Sequence, residues 1–198
     1  KSEEEKPKNP KLSRRSGWHT DHSFKRIPPK ATILHGHEIP SKAGHTCFCN
    51  TEKAYEDLPT DTKRRLKGLI AVHSYDTMRA PARAIERTPA EIAETPDVEH
   101  PLIRVHDENG NKAIYFNSNR TDRIVGLKRN ESDLLLDQIH KHMTQEKYRY
   151  DHSWSVGDVV IWDNRCLIHS VNVDYPVGEQ RIHLRTLIKG KRPNNRRI

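Results

Sequence analysis

Short apolar runs separated by turn-forming residues dominate the chain and predict a fold built from many short strands. The strand-like runs lie at residues 31–36, 154–162 and 182–188, and residues 43–49 predict a Gly-led turn into another short strand. Prolines or glycines lie beside these runs, as expected at strand ends. Two further runs, 102–105 and 113–116, flank a Glu-Asn-Gly-Asn turn, which predicts a β-hairpin. The pattern therefore predicts a mainly β fold with flanking helices (α+β), with a sandwich or barrel core.

Helical periodicity is clearest in two segments. Residues 51–69 predict one helix or two, with Pro59 as a break between them. Residues 131–143 predict a longer helix, because its apolar positions recur at helical spacing. The apolar positions of this second helix are Leu134, Leu135, Ile139 and Met143.

Composition indicates one domain with polar ends. The length of 198 residues fits one domain, or two at most. We interpret residues 1–17 as a flexible tail or loop, residues 18–190 as the domain and residues 191–198 as a basic C-terminal tail. Within the domain, the proline-rich and charged stretch 76–101 is interpreted as a mobile, lid-like insertion with a short helix near residues 89–93.

Charge, hydropathy and cysteine usage limit the partners and the compartment. The chain has 35 Lys and Arg against 27 Asp and Glu, a formal net charge of +8 that by itself favours a nucleic-acid-binding protein. No apolar run approaches the roughly 20 residues of a membrane span, and no N-terminal signal region is visible, so no membrane partner is expected. Cys47, Cys49 and Cys166 lack the spacing of a zinc site, and free thiols favour a reducing, cytoplasmic location.

A His-x-Asp motif is the strongest candidate for chemistry. On a strand, the side chains of His19 and Asp21 would project from the same face. His169, which follows a strand-like run, is the best third ligand, and two histidines with one carboxylate form the facial triad of non-haem Fe(II) oxygenases. The motif alone is weak evidence because the chain has 13 histidines. The alternative is that His19 and Asp21 only hydrogen-bond to each other in a turn.

Several blocks, in order along the chain, resemble one enzyme family. The blocks are Trp-His-Thr-Asp-His-Ser-Phe at 18–24, followed by Pro28-Pro29; the turn at 40–46; Ala-Tyr-x-x-Leu at 54–58; His-Pro-Leu at 100–102; and Trp-x-x-Gly-Asp with Trp-Asp-Asn-Arg and His between 154 and 169. Together they resemble the taurine dioxygenase-like family of Fe(II)- and 2-oxoglutarate-dependent oxygenases, which includes taurine and 2,4-dichlorophenoxyacetate dioxygenases. Ala43 departs from the usual Gly-Gly pair. Members also carry a longer segment before the His-x-Asp motif, so we expect the N-terminal part of the domain to be missing.

The resemblance implies a double-stranded β-helix (jelly roll) core with Fe(II) bound by the three candidate ligands. It further implies that Arg181 binds the C5 carboxylate of 2-oxoglutarate with help from the Thr46 hydroxyl, and that Arg185 binds the anionic group of the substrate. A guanidinium suits either carboxylate because it is planar, charged and bidentate. The roles of the two arginines could be exchanged, since the spacing after His169 is one residue longer than in taurine dioxygenase.

Some other residues have two interpretations. Tyr115 and Asn117 either line the substrate pocket or pack in the core, and His22 faces either the substrate or solvent. The residues expected to support the site, as an aromatic wall or by ordering the loop before the third ligand, are Trp18, Asp163 and Asn164.

The function implied by the resemblance is hydroxylation of a small organic anion with 2-oxoglutarate and O₂ as cosubstrates. The substrate would be a sulfonate such as taurine, a sulfate ester, or an aryloxy or other carboxylate. Succinate and CO₂ would be released, and C–S or C–O cleavage could follow. A small anion rather than nucleic acid is then the expected partner, and a homo-oligomer, either dimer or tetramer, is compatible with the family. The alternatives are an inactive metal-binding relative and, less favoured, a basic nucleic-acid-binding protein.

Overall fold

The computed structural model describes residues 17–79 and 87–195. Within these ranges the chain forms eleven strands and four α-helices. The strands are β1 (Pro29–Glu38), β2 (Thr46–Asn50), β3 (Ile70–His73), β4 (Val98–Pro101), β5 (Ile103–Val105), β6 (Lys112–Ile114), β7 (Thr121–Ile124), β8 (Arg149–His152), β9 (Val159–Asp163), β10 (Leu167–Val171) and β11 (Ile182–Lys189). The helices are α1 (Thr51–Glu56), α2 (Thr60–Leu66), α3 (Pro89–Glu94) and α4 (Arg129–Met143).

The strands pair into small antiparallel sheets, which confirms the predicted mainly β architecture with flanking helices. Three sheets have three strands each, in the orders β11-β1-β9, β10-β2-β8 and β4-β3-β7. The predicted hairpin is present as β5 and β6, with Ile103 opposite Ile114. In the first sheet β1 is central and pairs with both β9 and β11, and in the second β2 lies between β8 and β10.

The predicted helical region after β2 is two short helices. The Asn50 side chain accepts a hydrogen bond of 2.9 Å from the Lys53 amide and so caps the start of α1, as Asn commonly does. The helical conformation is interrupted around Pro59, and α2 begins at the next residue, Thr60. Leu66 is buried, whereas Leu69 lies after the end of α2.

Helix α4 begins two residues before the predicted start and turns a different face to the core. Leu135, Leu136, Ile139 and Met143 are buried, but Leu134 is 61% exposed. Three consecutive leucines cover most of a helical turn, so the helical spacing that predicted α4 does not by itself decide which of them faces the core.

Turns precede two of the predicted strands. The predicted turn into a short strand at residues 43–49 is confirmed, with Ala43 and Gly44 at φ of 61° and 69° and β2 beginning at Thr46. The strand predicted from residue 154 begins later than its apolar pattern indicated. At residues 154–158 a turn closes through the Ser155 amide, which donates to Asp158 Oδ2 at 2.8 Å, so β9 begins at Val159.

The predicted insertion at 76–101 is partly built into the fold. Its short helix is present as α3, with a capping box between Thr88 and Glu91. Its last four residues form β4, which pairs with β3 and buries His100 and Pro101. The prediction of a mobile insertion was therefore wrong for β4, which belongs to a sheet. Residues 80–86 of the predicted insertion lie outside the described ranges.

The chain ends are only partly described. Residues 1–16 and 196–198 lie outside the described ranges. Part of the predicted C-terminal tail contacts the domain, because the Val105 amide donates to the Asn194 carbonyl at 2.8 Å. Cys47 and Cys49 are buried free thiols, and Cys166 is a half-buried one. The longest described helix, α4, has 15 residues, and no helix in the described ranges is long and apolar enough to cross a bilayer.

Helix α4 provides a direct test of the core. We expect Leu136→Ala to lower the free energy of unfolding by about 2–5 kcal/mol, since it leaves a cavity at a fully buried position. The matched variant Leu134→Ala should change it by no more than about 0.5 kcal/mol, because that side chain is exposed. Urea unfolding followed by circular dichroism measures both, and equal losses would contradict the assigned face of α4.

Candidate metal centre and active-site cavity

A two-way backbone bridge brings the two candidate histidine ligands together. The His19 amide donates to the His169 carbonyl at 2.9 Å, and the His169 amide donates to the His19 carbonyl at 2.7 Å. Their imidazole centroids lie 4.1 Å apart. His169 is the central residue of β10, which pairs with β2, so a sheet fixes its position.

Asp21 completes the cluster from a turn rather than from a strand. Residue 19 forms a single bridge, and the chain enters a turn at Asp21, with His22 at φ of 47°. Ligand atoms of His19, Asp21 and His169 nevertheless all lie within 4.8 Å of one another. The three candidate ligands are therefore close enough to share one ion, although the predicted strand geometry around residues 19–21 was wrong.

A chain of buried hydrogen bonds fixes the Asp21 carboxylate. The Thr32 hydroxyl donates to Asp21 Oδ2 at 2.5 Å, and Asn164 Nδ2 donates to the Thr32 oxygen at 2.8 Å. Asn164 Oδ1 accepts from Trp162 Nε1 at 3.1 Å and from the Asp21 amide at 3.3 Å. Thr32, Asn164 and Trp162 thus hold one carboxylate oxygen in place and leave Oδ1 as the oxygen available to a metal.

The two imidazoles have the protonation that metal binding requires. His19 Nδ1 lies 2.8 Å from the Gly17 carbonyl, which can only accept, so Nδ1 carries the proton and Nε2 keeps its lone pair. His169 Nδ1 is buried and has no hydrogen-bond partner among the described residues. Burial lowers the pKa of both histidines, and the neighbouring His19 and Arg185 lower that of His169 further.

These residues fit a bound divalent metal. Two neutral imidazoles and one carboxylate form a donor set typical of first-row transition metals. A bound cation would also offset the Asp21 carboxylate, which is 3% exposed.

Thr46 and Arg181, the predicted anion-binding pair, are in contact. Arg181 Nη2 donates to Thr46 Oγ1 at 3.0 Å, and its Nε donates to the Gly44 carbonyl at 2.9 Å. Trp154 Nε1 also donates to Thr46 Oγ1, at 2.9 Å. A hydroxyl oxygen accepts two hydrogen bonds, so the Thr46 proton must point to a third partner. Thr46 is therefore oriented as a donor.

A cavity of about 630 Å³ joins these parts. His19, Asp21, His169 and Thr46 all lie in its wall. Arg185 lines it as well, with Nη1 3.4 Å from Asp21 Oδ1. One cavity thus reaches the metal ligands, the oriented hydroxyl and a guanidinium.

The pocket-lining predictions have different outcomes. Asn117 and His22 line the cavity, and Asn117 Nδ2 donates to the Thr20 carbonyl at 2.8 Å, which ties this wall to the ligand-bearing turn. Tyr115 does not line it: its side chain is 2% exposed and packs against His73 and His100. This correction follows from the end of β6 at Ile114, beyond which strand alternation no longer decides direction.

The supporting residues occupy three different places. Trp18 packs against the hydrophobic core, and its carbonyl accepts from the Ser118 hydroxyl. Asp163 orders the loop before β10 by accepting from the Arg165 amide at 2.8 Å. Asn164 accepts a hydrogen bond from the amide of the candidate ligand Asp21 at 3.3 Å.

The sequence argument did not assign several residues to the site. Thr32 and Trp154 lie in predicted strand-like runs, and Phe24 lies in the block that contains the His-x-Asp motif, so local signals were present for these three. Tyr75 and Arg120 also line the cavity, but nothing in the sequence distinguished them from other aromatic and basic residues.

Comparisons with known proteins identify one enzyme family. The model of the family described as "Taurine catabolism dioxygenase TauD, TfdA family" matches residues 1–187. Over 152 residues the chain is 38% identical to the alpha-ketoglutarate-dependent 2,4-dichlorophenoxyacetate dioxygenase of Burkholderia sp. (strain RASC), which covers 77% of this chain and 51% of the relative. It is 36% identical over 189 residues to an alkylsulfatase of Acinetobacter baylyi, covering 91% of this chain and 59% of the relative. The chain thus spans about half the length of these curated relatives.

Solved structures are also similar. A taurine dioxygenase from Burkholderia xenovorans matches with a TM-score of 0.79 and 31% identity, over 90% of this chain and 59% of that chain. The structure of AAD-2 in complex with Mn(II) and N-oxalylglycine matches with a TM-score of 0.83 and 30% identity, over 92% of this chain and 71% of that chain.

The Thr32 hydrogen bond to Asp21 can be tested by metal binding. We expect Thr32→Val to weaken Mn(II) binding roughly 10–100-fold, because the carboxylate loses the donor that orients it. Thr32→Ser keeps the hydroxyl and should retain most of the affinity. Isothermal titration calorimetry measures both variants, and wild-type affinity in Thr32→Val would contradict this role.

Proposed function

Because the chain belongs to the taurine catabolism dioxygenase TauD, TfdA family, we propose that it acts as an Fe(II)- and 2-oxoglutarate-dependent dioxygenase that hydroxylates a small organic anion. The observation that carries this proposal is the convergence of His19, Asp21 and His169 in a cavity that also contains the Thr46 hydroxyl. When bound together with 2-oxoglutarate and O₂, Fe(II) supplies an oxidative decarboxylation that releases succinate and CO₂ and hydroxylates a substrate C–H bond.

The three ligands would hold the metal on one side and leave the other side open to the cavity. His19 and His169 offer neutral ring nitrogens, and Asp21 offers Oδ1 while Thr32 retains Oδ2. A facial arrangement of two histidines and one carboxylate leaves positions for the cosubstrates. Phe48 and Trp162 pack around the His169 ring, with centroids at 6.2 and 4.8 Å, and limit its movement.

Arg181 and Thr46 would bind the distal carboxylate of 2-oxoglutarate. Arg181 supplies a positive charge, and burial strengthens its attraction for a carboxylate by excluding water. Its Nε donates a hydrogen bond to the Gly44 carbonyl, which fixes the guanidinium. Thr46 supplies the oriented hydroxyl proton, because Arg181 and Trp154 both donate to its oxygen. Trp154 is thus proposed as a positioning residue for the cosubstrate site.

The proposed substrate is an organic anion: a sulfonate, a sulfate ester or an aryloxy carboxylate. Supporting evidence comes from the guanidinium of Arg185 in the cavity wall. The named relatives include a 2,4-dichlorophenoxyacetate dioxygenase and a sulfate ester dioxygenase. Hydroxylation of a carbon bonded to sulfur or to an ether or ester oxygen gives an unstable product, in which one carbon carries both the new hydroxyl and the heteroatom. Its collapse to a carbonyl would break the C–S or C–O bond and release the heteroatom group.

We further propose that the core is a double-stranded β-helix. Sheet β11-β1-β9 supplies Leu34 and Arg185, and sheet β10-β2-β8 supplies Thr46 and His169. Residues from both sheets therefore meet at one cavity, as expected if the two sheets are the opposed halves of a jelly roll.

Turnover tests the proposed activity. The protein with Fe(II), 2-oxoglutarate and O₂ should form succinate above its background rate when taurine, hexyl sulfate or 2,4-dichlorophenoxyacetate is added. His169→Ala should lose both stoichiometric Fe(II) binding and turnover, since one of three ligands is removed. His37→Ala, at an exposed histidine outside the cavity, is the matched control. No stimulation by any of the three compounds would count against the proposed activity, and retained iron in His169→Ala would overturn the ligand assignment.

The cosubstrate site has its own test. We expect Thr46→Val to raise the KM for 2-oxoglutarate about 10–100-fold, because a hydrogen bond to a charged carboxylate is lost. Thr46→Ser keeps the hydroxyl and should have a KM close to that of the wild type. Arg181→Gln should raise the KM more than Thr46→Val does. Succinate formation at varied 2-oxoglutarate concentrations measures the effect. An unchanged KM in Thr46→Val would remove the hydroxyl from the proposed site.

A further inference from the structure

A second group of metal-ligating side chains lies outside the active-site cavity. Ligand atoms of Glu52, His106 and Cys166 all lie within 4.8 Å of one another, the same limit that the triad satisfies. Glu52 lies in the first turn of α1, His106 follows β5, and Cys166 lies in the turn between β9 and β10. His106 is buried and the other two are half-buried. Three separate segments of the chain thus bring together a carboxylate, an imidazole and a thiol.

Backbone hydrogen bonds fix the segments that carry these side chains. The Thr51 amide donates to the Cys166 carbonyl at 2.9 Å, which attaches the turn after β9 to the start of α1. The His106 amide donates to the Asn111 carbonyl at 2.8 Å, and the Gly110 amide donates to the His106 carbonyl at 2.9 Å. The turn between β5 and β6 is therefore closed around His106, and the cluster does not depend on a loose loop.

The His106 ring is oriented as a metal ligand would be. Its Nε2 lies 3.1 Å from Asp163 Oδ2, so Nε2 donates to the carboxylate and Nδ1 presents its lone pair. Metal-ligating histidines commonly donate their other ring nitrogen to a carboxylate in this way. Nδ1 accepts two long hydrogen bonds, at 3.2 Å from the Glu108 amide and 3.3 Å from the Asn109 amide, which a metal at Nδ1 would replace.

Glu52 is a carboxylate without a cationic partner. Asn109 Nδ2 donates to its Oε1 at 3.2 Å and Asn111 Nδ2 to its Oε2 at 3.3 Å, and within the described ranges it forms no ion pair. Two neutral amides orient the carboxylate but leave its charge unbalanced. A cavity of about 370 Å³ runs along the same turn and is lined by His106, Asn109 and Asn111, which gives an ion a route to the cluster.

The guanidiniums near the cluster are paired with other carboxylates. Arg165 lies 2.6 Å from Asp163 and 2.9 Å from Glu108. Arg104 lies 3.5 Å from Asp107, which also pairs with Arg165 at 3.2 Å. These charges offset one another, so a bound cation is the group that would offset the Glu52 carboxylate.

The Cys166 thiol keeps its proton in the absence of a metal. Burial, followed by the nearby charges of Asp163 and Glu52, raises its pKa to about 12. A divalent cation bound to the sulfur would displace this proton, as metals do when cysteine becomes a ligand. The thiolate, the Glu52 carboxylate and the neutral His106 would then balance the two positive charges of the ion.

We propose that Glu52, His106 and Cys166 form a second metal site, which takes Zn(II) or another divalent cation with affinity for sulfur. Sulfur, nitrogen and carboxylate oxygen are zinc ligands, and water would fill the fourth tetrahedral position. Zinc bonds of about 2.0–2.3 Å hold the ligands roughly 3.3–3.6 Å apart, so small side-chain rotations close the site. The ion would join α1, the turn between β5 and β6 and the turn before β10. The cysteine spacing gave no sign of this site because its ligands come from separate segments.

Co(II) in place of Zn(II) tests the sulfur ligand directly. A thiolate bound to Co(II) gives an intense charge-transfer absorption in the near ultraviolet, which the nitrogen and oxygen ligands of the triad do not give. The metal-free wild type, titrated with Co(II), should develop this absorption. Cys166→Ser should lose it, and His169→Ala should retain it.

Two further variants keep the test interpretable. Glu52→Gln keeps the shape of the side chain but not its charge, and it should weaken the Co(II) binding that produces the absorption about 10-fold or more, even if Cys166→Ser does not fold. Cys47→Ser removes a thiol outside the cluster and should behave like the wild type. No charge-transfer absorption in the wild type, its persistence in Cys166→Ser, or wild-type affinity in Glu52→Gln would overturn the proposal.

Thermal unfolding with Zn(II) separates this site from the triad. Zn(II) should raise the Tm of His169→Ala, because a metal that binds only the folded chain stabilises it. It should not raise the Tm of the double variant His169→Ala/Cys166→Ser, and an equal rise in both would contradict the site. Since His169→Ala removes the proposed activity and leaves this cluster intact, the proposed function and the second metal site can each fail without the other.

Discussion

The reciprocal hydrogen bonds between the backbones of His19 and His169 are the constraint on which the site depends. They connect the segment around His19 to strand β10 and bring the two imidazole centroids to 4.1 Å, with the ring planes inclined at 46°. A pair of neutral rings beside a buried carboxylate is an incomplete electrostatic arrangement, which a divalent cation would complete. The other residues that line the cavity are arranged around these two histidines.

Several of the hydrogen bonds that orient this site come from neutral donors. Thr32 holds Asp21, and Trp154 orients Thr46, each through a hydroxyl whose other bonds are already made. Such relays fix the direction of a carboxylate or a proton at a lower desolvation cost than burying another charge. The guanidiniums of Arg120 and Arg185 line the same cavity as the candidate metal ligands.

The sequence predicted most strands and helices and suggested the three candidate ligands, but it did not predict the direction of every side chain. The hairpin and the helix break at Pro59 follow from local signals, and the triad was proposed from ligand types together with ordered motifs. Leu134 and Tyr115 show the limit: one points to solvent and the other into the core. Their directions depend on where a helix or a strand meets its neighbours, and the periodicity of one segment does not contain that information.

The sequence by itself determined a mainly β fold with flanking helices and identified the candidate groups, namely the two histidines and carboxylate of the triad and the Thr46–Arg181 pair. Local propensity suffices for the strands and helices, whereas the candidate groups were recognised from motifs that follow one another along the chain. Only the tertiary structure decided how distant residues combine, such as Thr32 with Asp21 and Arg120 with Tyr75. The physical reason is that strand pairing and burial, rather than position in the chain, bring these polar groups within hydrogen-bond distance.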